Sequence, residues 1–277
     1  MIHDRTTCTL GEGPLWHPER GQLVWFDILG KRLHGGPQPI DFPTYASAAG
    51  WVSRDELLVA TADGLYLVDI EAGRIGDRVV PLEADNPVTR SNDGRADPQG
   101  GFWIGTMGIS AEPGAGAIWR YYRGELRRLF APITISNAIC FAPEGDIAYF
   151  CDTPTQVIQR VRLDRDGWPL GEPEPWLDLS GTDYRPDGAV CDAEGRVWNA
   201  QWGAGRVAAY APDGRFLDAV GFAATQTSCP VFGGPDLDHL FCTSAAEGRD
   251  LSLNPHHGRT FVARVGARGQ TEHRVIL

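Results

Sequence analysis

The 277-residue sequence lacks several features that would place it in common classes of protein. No apolar run approaches the roughly 18 residues that suggest a membrane-spanning helix. The start MIHDRTTCTLGEGPLW has no basic region followed by an apolar one, so we expect no signal peptide. Neither a C-x-x-C pair nor an N-x-S/T sequon occurs. These absences predict a cytoplasmic protein with no membrane partner.

Positive charge is also scarce. Lys and Arg number 25 against 36 Asp and Glu, which gives a net charge of −11. Sequence-independent binding of nucleic acid needs clustered Lys and Arg, so we expect no nucleic-acid partner. The H-E-x-x-H, G-x-S-x-G and Walker motifs are missing, which argues against the enzyme classes that depend on them.

The six cysteines are scattered in apolar, strand-like windows, where a free buried thiol is the common case. We therefore predict no disulfide for Cys8, Cys140, Cys151, Cys191, Cys229 and Cys242.

What the sequence does contain is a repeat. Six windows begin with Asp, Glu or Gly turn residues and then enter an apolar or aromatic run. Their anchor residues, which are 34, 44, 46, 49 and 43 residues apart, are Trp25, Val59, Trp103, Tyr149, Trp198 and Phe241. Alternating strand patterns follow each window, and no long window shows a helical period.

A period of about 40–50 residues with several strands in each repeat is typical of a β-propeller. We therefore predict an all-β, six-bladed propeller formed by one domain over residues 1–277, as a monomer or weak homo-oligomer. A pair of β-sandwiches would not repeat so regularly, and a β-helix repeat would be shorter.

Four polar stretches precede the anchors by roughly 8–13 residues: LGEGPLW with Glu12, TRSNDG with Arg90 and Asn92, TISNAICFAP with Asn137, and YRPDGAVCDAEG with Asp187. Each has a simple structural explanation, such as a β-turn for P-D-G. In a propeller, however, equivalent offsets meet at one end of the channel. Two carboxylates and an amide oxygen there would suit a hard divalent cation, which would also relieve their repulsion.

Five stretches together resemble the SMP-30/gluconolactonase/regucalcin-like family: GEGPLWHPERGQLVWFDI, RSNDGRADPQGGFWIGTM, ISNAICFAPEGDIAYFCDT, RPDGAVCDAEGRVW and CPVFGGPDLDHLFCTSA. The match is collinear and covers nearly the whole chain. The resemblance implies a six-bladed propeller with one divalent cation (Ca²⁺, Zn²⁺, Mg²⁺ or Mn²⁺) in a central metal-binding channel. It also implies hydrolysis of sugar lactones to aldonic acids.

The resemblance further implies roles for individual residues. Glu12, Asn137 and Asp187 would be metal ligands, and Arg90 and Asn92 would bind substrate. Asp187 would also act as the general acid and base.

One departure from the family concerns substrate specificity. Some members have an acidic residue after G-T-M that contacts substrate hydroxyls, whereas this chain has Ser110 there, with Glu112 two residues on. We expect Ser110 to contact substrate, which leaves the identity of the sugar open.

We interpret Asp93 and Gly94 as a turn, because these residue types are typical of turns. We expect four large side chains to serve blade packing: Trp16, Trp51, Trp202 and Met107.

Two other functions are compatible with the pattern. A related propeller could hydrolyse aryl esters or organophosphates, and a non-enzymatic propeller could bind calcium. The fold alone does not choose, because propellers carry many functions. Arg90 and Asn92 favour a hydroxylated substrate.

Overall fold

The computed structural model describes residues 1–277 and contains 24 β-strands and one 3₁₀ turn, Thr153–Thr155. The strands form six four-stranded antiparallel sheets, and the first strands of neighbouring sheets contact one another around a closed ring. The predicted six-bladed β-propeller is therefore confirmed. No helix is long and apolar enough to span a lipid bilayer.

We number the sheets as blades 1 to 6 in chain order and give the strands of each blade from the innermost to the outermost. β1 (Ile2–Asp4) precedes blade 1 in the chain but forms the outer strand of blade 6. Blade 1 contains β2 (Gly11–His17), β3 (Gln22–Asp27), β4 (Arg32–His34) and β5 (Ile40–Asp41). Blade 2 contains β6 (Ala46–Trp51), β7 (Glu56–Thr61), β8 (Gly64–Asp69) and β9 (Arg74–Pro81). Blade 3 contains β10 (Thr89–Ala96), β11 (Phe102–Gly108), β12 (Gly116–Tyr122) and β13 (Glu125–Ile133).

Blades 4 to 6 follow the same plan. Blade 4 contains β14 (Ser136–Phe141), β15 (Ile147–Asp152), β16 (Val157–Leu163) and β17 (Pro169–Asp178). Blade 5 contains β18 (Arg185–Cys191), β19 (Val197–Trp202), β20 (Arg206–Tyr210) and β21 (Phe216–Gly221). Blade 6 contains β22 (Thr227–Gly233), β23 (His239–Ser244) and β24 (Thr260–Arg264), with β1 as its fourth strand.

The core lies between the blades, because alternate residues of a strand face opposite sides of its sheet. In β3, Leu23 and Trp25 pack against Phe241 of blade 6, whereas Val24 and Phe26 pack towards blade 2. All six anchors predicted from the sequence lie in the second strand of their blade. Those strands are buried on both faces, which made the repeat visible.

Every innermost strand carries a break in its pairing with the second strand. The breaks fall between Glu12 and Leu15, Ala46 and Ala48, Ser91 and Gly94, Asn137 and Cys140, Pro186 and Ala189, and Thr227 and Pro230. A β-bulge of this kind leaves residues outside the ladder and re-aims their side chains. The bulges lie at the same level in each blade, so they bring polar side chains from distant parts of the sequence to one end of the channel.

The segment after β24 crosses the opposite end of the channel. Glu272 in this segment forms a buried ion pair with Arg95 of β10, and its carbonyl oxygen accepts a hydrogen bond of 2.8 Å from Trp51 Nε1. The channel therefore opens at the end that carries the bulges. All six cysteines are buried and free, as predicted.

Candidate active site

A cavity of about 320 Å³ opens at the bulged end of the channel. Five of the six predicted site residues line it, namely Glu12, Arg90, Asn92, Asn137 and Asp187. This volume lies at the lower end of the usual range for small-molecule pockets, which suits a ligand the size of a single sugar ring.

The glycine after each carboxylate explains why the two acids can reach the floor of this cavity. Gly13 has a φ of +52°, and a Cβ there would lie 2.1 Å from a backbone oxygen of blade 2. A Cβ on Gly188 would lie 2.4 Å from a cysteine sulfur of blade 6. The G-E-G and P-D-G patterns thus allow the bulges of Glu12 and Asp187 to approach the neighbouring blades. The P-D-G triplet belongs to strand β18 and is not a β-turn.

The two carboxyl groups are buried without a compensating ion pair. Glu12 and Asp187 are each 5% exposed. Each accepts a 3.0 Å hydrogen bond from the amide of the next residue. Burial, followed by the charge of Asp93, raises the pKa of Glu12 to about 8. Burial, followed by the charge of Glu12, raises the pKa of Asp187 well above its usual value. A nearby positive charge would favour ionisation of both groups.

Asn137 adds an amide group to the same cavity. Its Oδ1 accepts a hydrogen bond from Asn92 Nδ2 at 3.2 Å, and its Nδ2 donates to Thr153 Oγ1 at 2.9 Å. Arg90 Nη1 donates to Asn92 Oδ1 at 2.8 Å. The polar side chains of blades 3 and 4 are therefore joined across the cavity floor.

The donor set of the floor fits a hard divalent cation. The structure has no group of three or more His, Cys, Asp or Glu side chains that could hold a metal. Two carboxylates with the amide oxygen of Asn137 remain as a possible set, and such oxygen ligands suit Ca²⁺, Mg²⁺ and Mn²⁺. A divalent cation at this place would relieve the repulsion between the buried carboxylates.

Ser110 is the one predicted site residue that the structure does not bring to the cavity. It lies exposed in the turn after β11, and its amide donates to Glu112 Oε2 at 3.0 Å. Glu112 is likewise absent from the cavity wall.

The interpretation of Asp93 as a turn residue is wrong. Asp93 is a buried residue of β10, and its Oδ2 accepts a hydrogen bond from the amide of Ile139 in blade 4 at 2.7 Å. Burial raises its pKa to about 6. The N-D-G sequence resembles a turn because the same residue types also form bulges.

Two of the large side chains assigned to blade packing also form the cavity wall. Trp202 and Met107 line the cavity, whereas Trp16 stacks on Phe241 with a ring separation of 5.5 Å. Several further residues of the cavity wall come from loops and strand ends and were not predicted from the sequence, including Ile135, Thr153, Pro154, Arg185 and Glu247.

The chain is similar in sequence to a family model and to named relatives. The family model described as the SMP-30/Gluconolactonase/LRE-like region matches residues 10–246. The L-arabinolactonase of Azospirillum brasilense is 36% identical over 284 residues, which cover 97% of this chain and 93% of that protein. The 6-deoxy-6-sulfogluconolactonase of Pseudomonas putida is 35% identical and covers 97% of this chain and 95% of its own length.

A solved structure is also similar over the full chain. The crystal structure of a calcium-binding protein, regucalcin, from Agrobacterium tumefaciens strain C58 superimposes with a TM-score of 0.97 at 42% sequence identity. The match covers 100% of this chain and 97% of that one.

Proposed function

This chain belongs to the SMP-30/gluconolactonase/LRE-like family, and we propose that it is a divalent-cation-dependent hydrolase that opens sugar lactones to aldonic acids. It is a lactone hydrolase, in keeping with relatives that are named lactonases and align over nearly its whole length. We assign the activity to a single domain formed by residues 1–277. The observation that carries the proposal is the convergence of Glu12, Asn137, Asp187 and Arg90 in one cavity.

Glu12, Asn137 and Asp187 are the proposed ligands of the cation. The buried carboxylate pair and the neighbouring amide oxygen fit such a group, and a related structure is described as a calcium-binding protein. When bound, a divalent cation supplies Lewis acidity that polarises the lactone carbonyl and favours ionisation of water. The oxygen ligands favour Ca²⁺, Mg²⁺ or Mn²⁺, and Zn²⁺ also accepts carboxylate oxygens.

Asp187 is the proposed general base and acid. Water attacks the lactone carbonyl carbon while the Asp187 carboxylate takes its proton, and the bond from that carbon to the ring oxygen then breaks. The proton returns to the ring oxygen, which leaves as the hydroxyl group of the aldonic acid. A pKa above the usual carboxyl range makes Asp187 a stronger base for this transfer once it is ionised.

Arg90 is the proposed donor to substrate oxygens. Only its Nη1 is hydrogen-bonded within the protein, to Ser91 O at 2.9 Å and Asn92 Oδ1 at 2.8 Å. Nε and Nη2 therefore remain to donate to a lactone or hydroxyl oxygen, and the planar guanidinium fixes their direction. Donors held in place before the reaction can stabilise negative charge as it develops on the carbonyl oxygen.

Asn92 is proposed to contact a substrate hydroxyl with the free lone pair of Oδ1. Its Nδ2 is already engaged by Ser136 O at 2.9 Å and by Asn137 Oδ1. The apolar wall formed by Met107, Ile135 and Trp202 can cover the carbon-bound face of a sugar ring.

The test is hydrolysis of pentonolactones and hexonolactones by chelated protein, with single divalent cations added back and acid release followed in a pH-stat. Because apolar residues also line the cavity, a p-nitrophenyl ester and an organophosphate triester are run in parallel. Cation-dependent lactone hydrolysis above the spontaneous rate supports the proposal. Hydrolysis of the aryl substrates alone favours the alternative enzyme, and cation binding without hydrolysis favours a non-enzymatic role.

A further inference from the structure

A row of hydrogen bonds crosses the cavity floor from blade 3 to blade 5. Arg90 Nη1 donates to Asn92 Oδ1 at 2.8 Å, and Asn92 Nδ2 donates to Asn137 Oδ1 at 3.2 Å. Asn137 Nδ2 donates to Thr153 Oγ1 at 2.9 Å, and Thr153 Oγ1 donates to the carbonyl oxygen of Pro186 at 2.8 Å. The row thus ends next to Asp187.

The direction of every bond in this row is fixed by its two ends. The guanidinium of Arg90 can only donate, and the carbonyl of Pro186 can only accept. Since Thr153 gives its one hydrogen to Pro186, its oxygen is left to accept, and the only donor of the Asn137 side chain is Nδ2. Asn92 is oriented in the same way, because Nδ2 also donates to the Ser136 carbonyl.

Reversal of the Asn137 amide would break this pattern on both sides. Its oxygen would meet the oxygen of Thr153, whose hydrogen is already used, and its nitrogen would meet the donor nitrogen of Asn92. Buried polar groups that face like partners are strongly unfavourable. The row therefore commits Nδ2 to Thr153 and leaves the second lone pair of Oδ1 available in the cavity that Glu12 and Asp187 also line.

Thr153 is itself held in place. It is the first residue of the 3₁₀ turn after β15, and its amide donates to the carbonyl of Ile135 at 2.9 Å. Its hydroxyl is occupied by Asn137 on one side and by Pro186 on the other.

We propose that Thr153 is a positioning residue that presents Asn137 as an oxygen donor to the divalent cation. The inference rests on the proposed function, since it concerns the cation assigned there to Glu12, Asn137 and Asp187. An amide binds a hard cation through oxygen, whereas its NH₂ group has no lone pair to offer. Without the Thr153 hydroxyl, only the hydrogen bond from Asn92 Nδ2 still opposes a turn of the Asn137 nitrogen towards the site.

The first test is cation binding by chelated protein, measured by isothermal titration with Ca²⁺ and Mn²⁺. Thr153→Val keeps the shape of the side chain but lacks the hydroxyl, and we expect its affinity to fall about 10–100-fold, the range seen when partners of metal ligands are removed. Thr153→Ser retains the hydroxyl and should bind close to wild type. Wild-type affinity in Thr153→Val, or an equal loss in Thr153→Ser, overturns the inference.

The second test separates orientation from general structural support. Asn137→Asp places an oxygen on both sides of the group, so its orientation no longer matters. Adding Thr153→Val to Asn137→Asp should therefore have little further effect on cation affinity. An equal loss in both backgrounds overturns the inference, because it means that Thr153 acts by some other route.

These outcomes distinguish the inference from the proposed function. A wild-type protein that binds no divalent cation overturns both. A wild-type protein that binds the cation, together with Thr153→Val of unchanged affinity, overturns the role of Thr153 alone.

Discussion

Glu12→Gln should stabilise the protein without a divalent cation and reduce the stabilisation that a divalent cation provides. Glu12 is buried beside Asp187, and its pKa is raised from 4.5 to about 8. At about 1.4 kcal/mol per pKa unit, ionising Glu12 in the folded protein costs on the order of 5 kcal/mol. This is an upper bound on the gain from the substitution, because the Gln amide must also find partners.

The pH dependence follows from the raised pKa. Below pH 4.5 the carboxyl group is protonated in both the folded and the unfolded states, and its full stabilising contribution is present. Above that value the unfolded state releases its proton first, so stability falls until the pH passes about 8. Chelated wild-type protein should therefore lose more stability between these pH values than chelated Glu12→Gln.

Adding the cation should stabilise wild type more than it stabilises Glu12→Gln, because the variant lacks one proposed ligand. A cation at about 100 times its dissociation constant stabilises the folded state by about 2.7 kcal/mol, or by about 5 °C or more in Tm for a chain of this size. Thermal unfolding at pH 8, with chelator and with each cation, measures both effects. Glu144→Gln is the matched control, because Glu144 is exposed and lies outside the cavity. An equal cation-dependent rise in Tm for Glu12→Gln and wild type would refute the reasoning.

Three further substitutions give separate predictions. Arg90→Lys keeps a positive charge but loses the planar fork, so kcat/KM for the lactone should fall about 100–1000-fold, the size of effect seen when a transition-state donor is lost; unchanged steady-state kinetics would remove Arg90 from the site. Trp202→Ala removes part of the cavity wall and should raise KM more than it lowers kcat; a fall in kcat alone would contradict a role in binding. In the wild-type structure Arg120 Nε lies 2.6 Å from Asp97 Oδ2, and both side chains are 0% exposed. Asp97→Asn leaves the guanidinium of Arg120 without its ionic partner, so the free energy of unfolding in urea should drop by about 3–5 kcal/mol. A loss below about 1 kcal/mol, the level of a surface pair, would show that this ion pair is not needed.

The sequence predicted the blades because burial on both faces leaves a clear trace. Trp103 and Trp198 lie in second strands that neighbouring blades cover on each side, and these strands are buried along almost their whole length. The outermost strands, by contrast, are exposed and vary in length, from Ile40–Asp41 to Pro169–Asp178. Their patterns carry little information about register, so their bounds could not be predicted.

The placement of Glu12 and Asp187 in the cavity could be predicted because each lies in a short local motif. Glu12 and Asp187 are each followed by a glycine at which any added Cβ would collide with the next blade. The glycine in each motif therefore indicates the bulge. Asp93 was misread because its partner, the amide of Ile139, lies 46 residues further along the chain. Thr153 gave no signal in the sequence, since its hydroxyl donates to a carbonyl 33 residues away.

The most direct test of the central claim is the rate of lactone hydrolysis by wild type and by Asp187→Asn at saturating cation, each compared with chelated wild type. Asp187→Asn keeps an oxygen that can face the cation but cannot accept the proton of water at neutral pH. We expect kcat/KM to fall at least 100-fold, the lower end of the contribution made by a general acid or base, and the chelated wild type to approach the spontaneous rate. Hydrolysis by Asp187→Asn or by chelated wild type at the full wild-type rate would contradict the proposed site.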